Sequence, residues 1–373
     1  MELFFPPALD FCLARSAKLL EIEKRRLKAA QDMADSFGLA FQHVEVACVV
    51  GGFCGIAAAK SLCAVSRDHG CGMRDCMKIL LARCLPEFYV FGGQADSQTL
   101  ATAERFSVAR DAWETLPPMP TARSFCAAAA ANGKIFVFGG ERDQRSAFAA
   151  AECFDTATEE WERLPPMPTP RAGCSAVAVN GEIYVCGGLV AAGQVLNVIE
   201  CLCPETKRWR RMPPMPTPRC GCAAASWHGD LFVLGGQLED GSVLTTVERF
   251  TPAARVWRES RPMPTSRSGF SVVSVNGCIH AIGGLGGNGL AVTSIESYSP
   301  KEDLWRPGPS MPIARAGAAV GVAGDSIYIV GGFGDDRSDS RQAECLEFSE
   351  QDWSRLPSLS VPRRLCCGAI VWR

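Results

Sequence analysis

The sequence predicts an all-β protein: a six-bladed β-propeller over residues 86–373, closed by its C-terminal strand, behind a short, mostly helical leader over residues 1–85. Three observations predict it. Glycine pairs ending apolar runs begin at Gly92, Gly139, Gly187, Gly235, Gly283 and Gly331, spaced 47 residues once and 48 four times. Three further markers step by 48 throughout: the tryptophans Trp113, Trp161, Trp209, Trp257, Trp305 and Trp353; the arginines Arg123, Arg171, Arg219, Arg267, Arg315 and Arg363; and the glutamates Glu104, Glu152, Glu200, Glu248, Glu296 and Glu344. Finally, each unit carries signals for four short strands, and a sheet that small cannot bury both faces alone, so neighbours must cover it.

Within the unit running from Arg171 to Met215, "AGCSAVAV" is a first strand of small and β-branched residues, ended by Asn180-Gly181. Asn-Gly between two apolar runs is the strongest short hairpin signal, because both residues tolerate the left-handed backbone of a two-residue turn. "EIYVCGG" is the second strand, "NVIECLCP" the third and "KRWRRMPP" the fourth, stopped by prolines that cannot donate to a ladder. The first strands are poor in bulk ("SFCAAAAA", "CGCAAASW", "AGAAVGVA"), as expected of strands crowding around an axis. Each tryptophan supplies an apolar body large enough to fill the space between sheets.

The order "PMPTPR", small-residue strand, "IYVxGG", "E-x-[YF]-[DS]-P" and "W" resembles the Kelch repeat in all six units, over roughly residues 86–373. In style it is similar to the propellers of BTB–Kelch substrate adaptors, although no BTB pattern is recognisable. Unit 3 departs with Cys201-Leu202-Cys203 where an aromatic is usual. The chain enters the first unit at its second strand, "EFYVFGG", and ends on "RLCCGAIVWR", a first strand alone. Residues 87–373 number 287, one short of six 48-residue units, so the last strand is expected to complete the blade opened at Glu87 and remove an exposed sheet edge.

In the leader, "ARSAKLLEIEKRRLKAAQDMADSF" has the apolar spacing of an amphipathic helix. "VEVACVVGGFCG" mimics a second strand, but Arg74 stands where its tryptophan would fall, so it is not counted as a blade. No basic start precedes the apolar N-terminus, and the longest apolar run, Val46 to Ala59, is shorter than the ~20 residues of a spanning helix. A soluble protein of the cytoplasm or nucleus is expected. With 38 basic against 40 acidic residues, the chain lacks the basic footprint of a nucleic-acid binder.

Nineteen cysteines raise the question of disulfides or metal. Cys126, Cys174, Cys222 and Cys366 each follow a repeat arginine by three residues, and equivalent positions in separate units do not readily pair. Free thiols acting as small hydrophobes are therefore expected. Cys63, His69, Cys71 and Cys76 lack paired zinc-type spacing and read as part of a cysteine-rich helical segment. Neither metal nor cofactor is expected. Tyr89, Tyr184, Tyr298 and Tyr328 read as core, and the four histidines do not converge, so an enzyme of the metal-dependent oxidase or sugar-modifying Kelch type is the disfavoured alternative.

Radial symmetry puts the six repeat arginines on one face together with the loops after the glycine pairs. Two readings stay open for them. They hydrogen-bond loop carbonyls and pair with the periodic glutamates, or they present their forks to a ligand carboxylate, as arginines in this position do in the BTB–Kelch adaptors that the chain resembles. The loops break the symmetry: one carries Arg142 and Arg145, another Arg337. The resemblance implies a protein-interaction module binding a protein or acidic peptide on this face, as a substrate-recognition component of a ubiquitin-ligase assembly or as a cytoskeletal or actin-associated scaffold.

Overall fold

A computed structural model describes residues 86–372, apart from residues 109, 143–145, 192 and 349. The leader, with its expected helix and its Cys63, His69, Cys71 and Cys76 group, lies outside the described residues. The described residues form six four-stranded antiparallel sheets and two short two-stranded ribbons, with no helix among them.

Blade 3 shows how sequence becomes sheet. Its strands are Ser175–Val179, Glu182–Cys186, Ile199–Cys203 and Arg208–Arg211, paired in that order. The hairpin register runs from Ser175 opposite Cys186 to Val179 opposite Glu182. The intervening Asn180 and Gly181 take φ of 51° and 82°, the left-handed pair that a right-twisted hairpin demands. Asn132 and Asn276 repeat this in blades 2 and 5, and His228 takes the asparagine's place in blade 4.

The inner strands are short continuous apolar runs because neighbouring blades cover both their faces. Lys134–Phe138, for example, is buried from Ile135 to Phe138, whereas the outermost strand Glu160–Leu164 buries only its last residue. The core therefore lies between blades. Tyr89 and Phe91 of blade 1 pack with Ile135, Val137 and Phe154 of blade 2, and Trp161 closes on Phe91 edge-to-face at 5.4 Å. Full burial of each such side chain contributes about 1.5–3 kcal/mol. The indoles also reach across the seams. Nε1 of Trp161, Trp209 and Trp257 donates to the carbonyls of Pro117, Pro165 and Pro213, Trp305 donates to that of Arg261, and Trp113 to that of Pro357.

The first strands line a cavity of about 180 Å³ around the axis. Just before each first strand, one backbone N–H donates to the carbonyl of the equivalent residue in the adjacent blade. The donors and acceptors run Gly173 to Phe125, Gly221 to Gly173, Gly269 to Gly221, Gly317 to Gly269, Leu365 to Gly317 and Phe125 to Leu365, returning to the starting residue. The last strand, Cys367–Trp372, sits beside Pro86–Phe91 in the sheet order of blade 1, with Ala103–Ser107 and Ala112–Leu116 outside them.

Removal of residues 365–373 takes the innermost strand from blade 1 and Leu365 from the axial cycle, leaving a row of unpaired backbone groups and bared core. We expect the truncated chain to aggregate or to lose cooperative unfolding in thermal melts followed by circular dichroism. A melting midpoint within a few degrees of the parent's counts against a closing role for that strand.

Candidate functional site

The loops after the glycine pairs and the segments after the repeat arginines meet at one end of the sheets. Isolated antiparallel bridges join Ser124 to Glu141, Ala172 to Leu189, Cys220 to Gln237, Ser268 to Leu285 and Ala316 to Phe333. The hairpin turns at Asn132, Asn180 and Asn276 lie at the opposite end. The loop end is the candidate interaction face.

The six repeat arginines do not line it. Arg123, Arg171, Arg219, Arg267 and Arg363 are fully buried and Arg315 is 3% exposed. Of the two readings left open by the sequence, the rim open to a ligand is corrected here, and the carbonyl bonds and glutamate pairs of the other are what the structure shows. The Nη1 of Arg171 donates to the carbonyls of Gly187 and Val198, each at 3.0 Å, and its Nη2 lies 2.9 Å from the Glu200 carboxylate. Thr169 of the "PMPTPR" turn donates its hydroxyl to the same carboxylate. Arg123 pairs with Glu152, Arg219 with Glu248, Arg267 with Glu296 and Arg315 with Glu344, at 2.8–3.3 Å, and Arg363 pairs with Glu104 across the chain ends. Buried charge is tolerated where it is paired; here the carboxylate and two carbonyls take the terminal nitrogens, while Nε of Arg267, Arg315 and Arg363 has no hydrogen-bond partner.

The backbone of each arginine does a second job. The carbonyl of Arg171 accepts from the N–H of Gly140 in the preceding blade. A Cβ on Gly139 would stand 2.3 Å from that carbonyl oxygen, and its φ is 61°, so only glycine fits. The arrangement recurs at Gly92, Gly187, Gly235, Gly283 and Gly331, whose Cβ positions lie 2.3–2.6 Å from the carbonyls of Arg123, Arg219, Arg267, Arg315 and Arg363.

The exposed charge of the face belongs to the loops. Arg142 in blade 2 and Arg337 and Arg341 in blade 6 are exposed, and Arg145 lies outside the described residues. Arg337 stands over the Phe333 ring at 5.6 Å. Sequence reasoning missed Arg364, which packs on the same ring, lies 3.2 Å from Asp339 and donates to the Gln94 side chain. Its signal was readable, since no other unit has a second arginine after the repeat arginine. Asp96, Glu239, Asp240, Asp335 and Asp336 are exposed here too. The Ser242 backbone N–H holds the Asp240 carboxyl below its ordinary value, and the Ser338 hydroxyl and N–H do the same for Asp336. Leu290 adds an apolar side chain, 51% exposed.

The expected core roles of the aromatic and imidazole groups can be read directly. Tyr89, Tyr184, Tyr298 and Tyr328 are at most 2% exposed. Buried His280 holds Ser297 Oγ at 2.8 Å through Nδ1, and burial lowers its pKa. Among the described residues no group of three or more His, Cys, Asp or Glu side chains is placed to hold a metal ion. Among them, too, no helix is long and apolar enough to cross a membrane, which says nothing of a span built from strands.

The family model described as the KLHDC2/KLHL20/DRC7 Kelch-repeats domain matches residues 81–284, more than half of the chain, and the Kelch motif matches residues 266–312 and 314–360. The chain belongs to the Kelch-repeat proteins. Kelch domain-containing protein 8B of Rattus norvegicus and of Mus musculus is each 54% identical over 41 residues, and that of Homo sapiens 51%. Those matches span 11% of this chain and 12% of the relatives' length, so they carry a repeat and no whole-protein activity. A solved structure titled "Structure of YjhT" superposes with a TM-score of 0.59 at 19% identity, covering 67% of this chain and 88% of that one, a likeness of fold alone. In this Kelch protein the periodic residues hold the scaffold, and its individuality lies in the loops.

Two outcomes follow. Arg171→Ala leaves Glu200 buried without its partner and should cost about 3–5 kcal/mol in urea unfolding. Arg171→Lys should recover little, because an ammonium cannot serve two carbonyls and a carboxylate in one plane. A loss below about 1 kcal/mol would contradict the structural role. For His280, the folded-state pKa lies below the unfolded value of 6.5, so the unfolded chain takes up a proton first as pH falls. Stability is then complete above pH 6.5 and declines below it, by at most about 1.4 kcal/mol per pH unit. His280→Asn should flatten that decline between pH 7 and 5, measured by chemical unfolding at each pH.

Proposed function

We propose that this Kelch protein is a protein-interaction module, with its partner held on the loop face. The observation that carries the reading is the contrast between the two residue classes there. The repeated cations are buried in clamps, while the side chains reaching solvent (Arg142, Arg337, Arg341, Asp240, Asp336, Leu290) differ from blade to blade. Exposed, non-repeated side chains on a rigid scaffold are the usual carriers of recognition. Exposed cations lie in blades 2 and 6, on either side of blade 1, interleaved with the exposed Asp96, Asp335 and Asp336, whereas the blade 4 loop carries Glu239 and Asp240 and no cation. An acidic protein segment is therefore assigned to the side held by Arg142, Arg337 and Arg341, with Arg145 of the same loop added on the sequence alone, and Leu290 supplies an apolar contact for the same partner.

Within that reading the module serves as the substrate-recognition part of a ubiquitin-ligase assembly or as a cytoskeletal scaffold, acts in the cytoplasm or nucleus, and performs no chemistry of its own. The non-enzymatic reading is supported by the tyrosines and His280, all bonded or packed inside blades. Residues 86–373 form its folding unit, a ring closed by the C-terminal strand.

Binding of the full chain to an array of acidic peptides, followed by titration of the tightest one, tests the site. Charge-assisted pairs contribute about 1.5–3 kcal/mol each, so Arg142→Ala/Arg145→Ala should weaken binding about tenfold or more and leave the melting midpoint unchanged. Unchanged affinity, with a footprint mapped around Asn132, Asn180 and Asn276 at the opposite end, would sink the assignment.

A further inference from the structure

We propose that Cys126 and Cys367 form a reversible disulfide that locks the C-terminal strand to blade 2. The two sulfurs lie 3.2 Å apart although 241 residues separate them in the chain. Cys367 opens the last strand of blade 1, and Cys126 immediately precedes the first strand of blade 2, Ala127–Ala131. A disulfide bond is about 2.05 Å long, so closure needs each sulfur to move by well under 1 Å.

The repeat explains why this pair meets and no other. Cys126 is third after its repeat arginine, whereas Cys367 is fourth, so the two positions are not equivalent. At the seam between blades 3 and 4 the same offset brings Ser175, fourth after its arginine, to Cys222, third after its own, at 3.6 Å. The fold thus sets a fourth-position side chain against a third-position side chain across a seam. The pairs at the other five seams are Ala127 with Cys174, Ser175 with Cys222, Ala223 with Phe270, Ser271 with Ala318 and Ala319 with Cys366. Among these six seams of the described residues, two thiols face each other only where the C-terminal strand meets blade 2. The expectation that cysteines do not pair across units concerned equivalent positions; Cys126 and Cys367, both free thiols, stand at positions offset by one.

Chemistry favours this site over the other buried thiols. Burial pushes Cys174 up to about 12 and Cys366 to about 11, leaving them as inert hydrophobes. Cys126 goes the other way, because the adjacent Cys367 thiol and then the Arg123 guanidinium favour its thiolate, while Cys367 itself is pushed up. Both residues line the axial cavity of about 180 Å³, well above the roughly 10–15 Å³ of such space that one water molecule needs, so the cavity has room for a small peroxide.

The reaction is a two-electron oxidation by a peroxide. The Cys126 thiolate attacks one peroxide oxygen, the O–O bond breaks, and the leaving hydroxide takes a proton to become water, leaving Cys126 as a sulfenic acid. The Cys367 sulfur then attacks the Cys126 sulfur, the S–O bond breaks, and the hydroxyl leaves as water with the Cys367 proton. Two thiols and one hydrogen peroxide give one disulfide and two waters. A dithiol reductant reverses it. The bond ties the last strand to the second blade across nearly the whole propeller, a long loop of the kind whose closure restricts the unfolded chain most.

The test uses the full chain, reduced, desalted, treated with hydrogen peroxide, alkylated and digested with trypsin without reduction. Cleavage isolates Cys126 in residues 124–134, and Cys366 with Cys367 in residues 365–373. We expect these two peptides joined, at about 2 Da below the sum of their masses, with fragmentation placing the bridge on Cys367. The joined species persists in Cys366→Ser and Cys174→Ser and is absent from Cys126→Ser and Cys367→Ser. The oxidised wild-type chain melts roughly 5 °C or more above its reduced form, and dithiothreitol abolishes the gain. The wild-type digest alone decides the matter even if a variant misfolds. Peptide 124–134 remaining alkylated while other thiols oxidise overturns the proposal. So does a bridge from Cys126 to any cysteine but Cys367, or a Cys366–Cys367 bridge within one peptide.

Discussion

Everything in this propeller hangs on one buried guanidinium per unit. An isolated cation inside a protein is prohibitively costly, and continuum reasoning holds that a buried ion pair often does no better than an apolar replacement. These six do better because of what else they bind. The side chain of Arg171 joins the end of the second strand, the start of the third and Glu200 within blade 3, while its carbonyl receives Gly140 from blade 2. One residue thereby sets the spacing within a blade and between blades. The glycine pair is a consequence, since no side chain fits against that carbonyl, and so is the threonine of the turn, which occupies the carboxylate's second oxygen.

The same constraint governs recognition. Cations placed around an axial mouth could have focused a positive field on it. Neutralised pairwise in the interior, they contribute nothing to the surface, and the chain's small net charge of −2 adds no long-range pull. On the proposed function, selectivity is left to loops that carry few charges each and differ from blade to blade in sequence. Stability and specificity would then sit on different residues, with the loops free to vary without cost to the clamps.

The propeller was legible because its strongest signals are local. Asn-Gly dictates a left-handed hairpin turn, small side chains dictate a crowded strand, and a 48-residue period dictates stacking. Depth was not legible in the same way. A period places Arg123, Arg171 and their equivalents at one angular and axial position, but it does not say whether the side chain turns inward or outward. The deciding signal was in the sequence as a second period, that of Glu104, Glu152 and Glu200, which suggested the pairing; preferring it over a ligand-facing fork requires the strand register, which brings residues 29 positions apart into contact. The Cys126–Cys367 contact was hidden for a related reason: comparing equivalent columns obscures a meeting between columns offset by one.

Departures from symmetry gather where the C-terminal strand joins blade 1. In the axial cycle of backbone hydrogen bonds four of the six residues are glycine, and the two that are not, Phe125 and Leu365, are the members from blades 2 and 1. Both adopt left-handed backbone, with φ of 55° and 54°, a conformation that costs a bulky side chain roughly 1–3 kcal/mol. Each lays its side chain against the glycine of a neighbouring blade, Phe125 at Gly173 and Leu365 at Gly317. At this seam too, Asp96 donates its N–H to Asp339, and Arg364 bridges Gln94 and Asp339. A seam between consecutive blades is held together partly by the chain running through it, whereas the C-terminal strand reaches blade 1 only through noncovalent contacts. Extra side-chain bonding is concentrated where chain connectivity gives no help, and backbone strain is tolerated there because the side chains that impose it also cover the neighbouring blades.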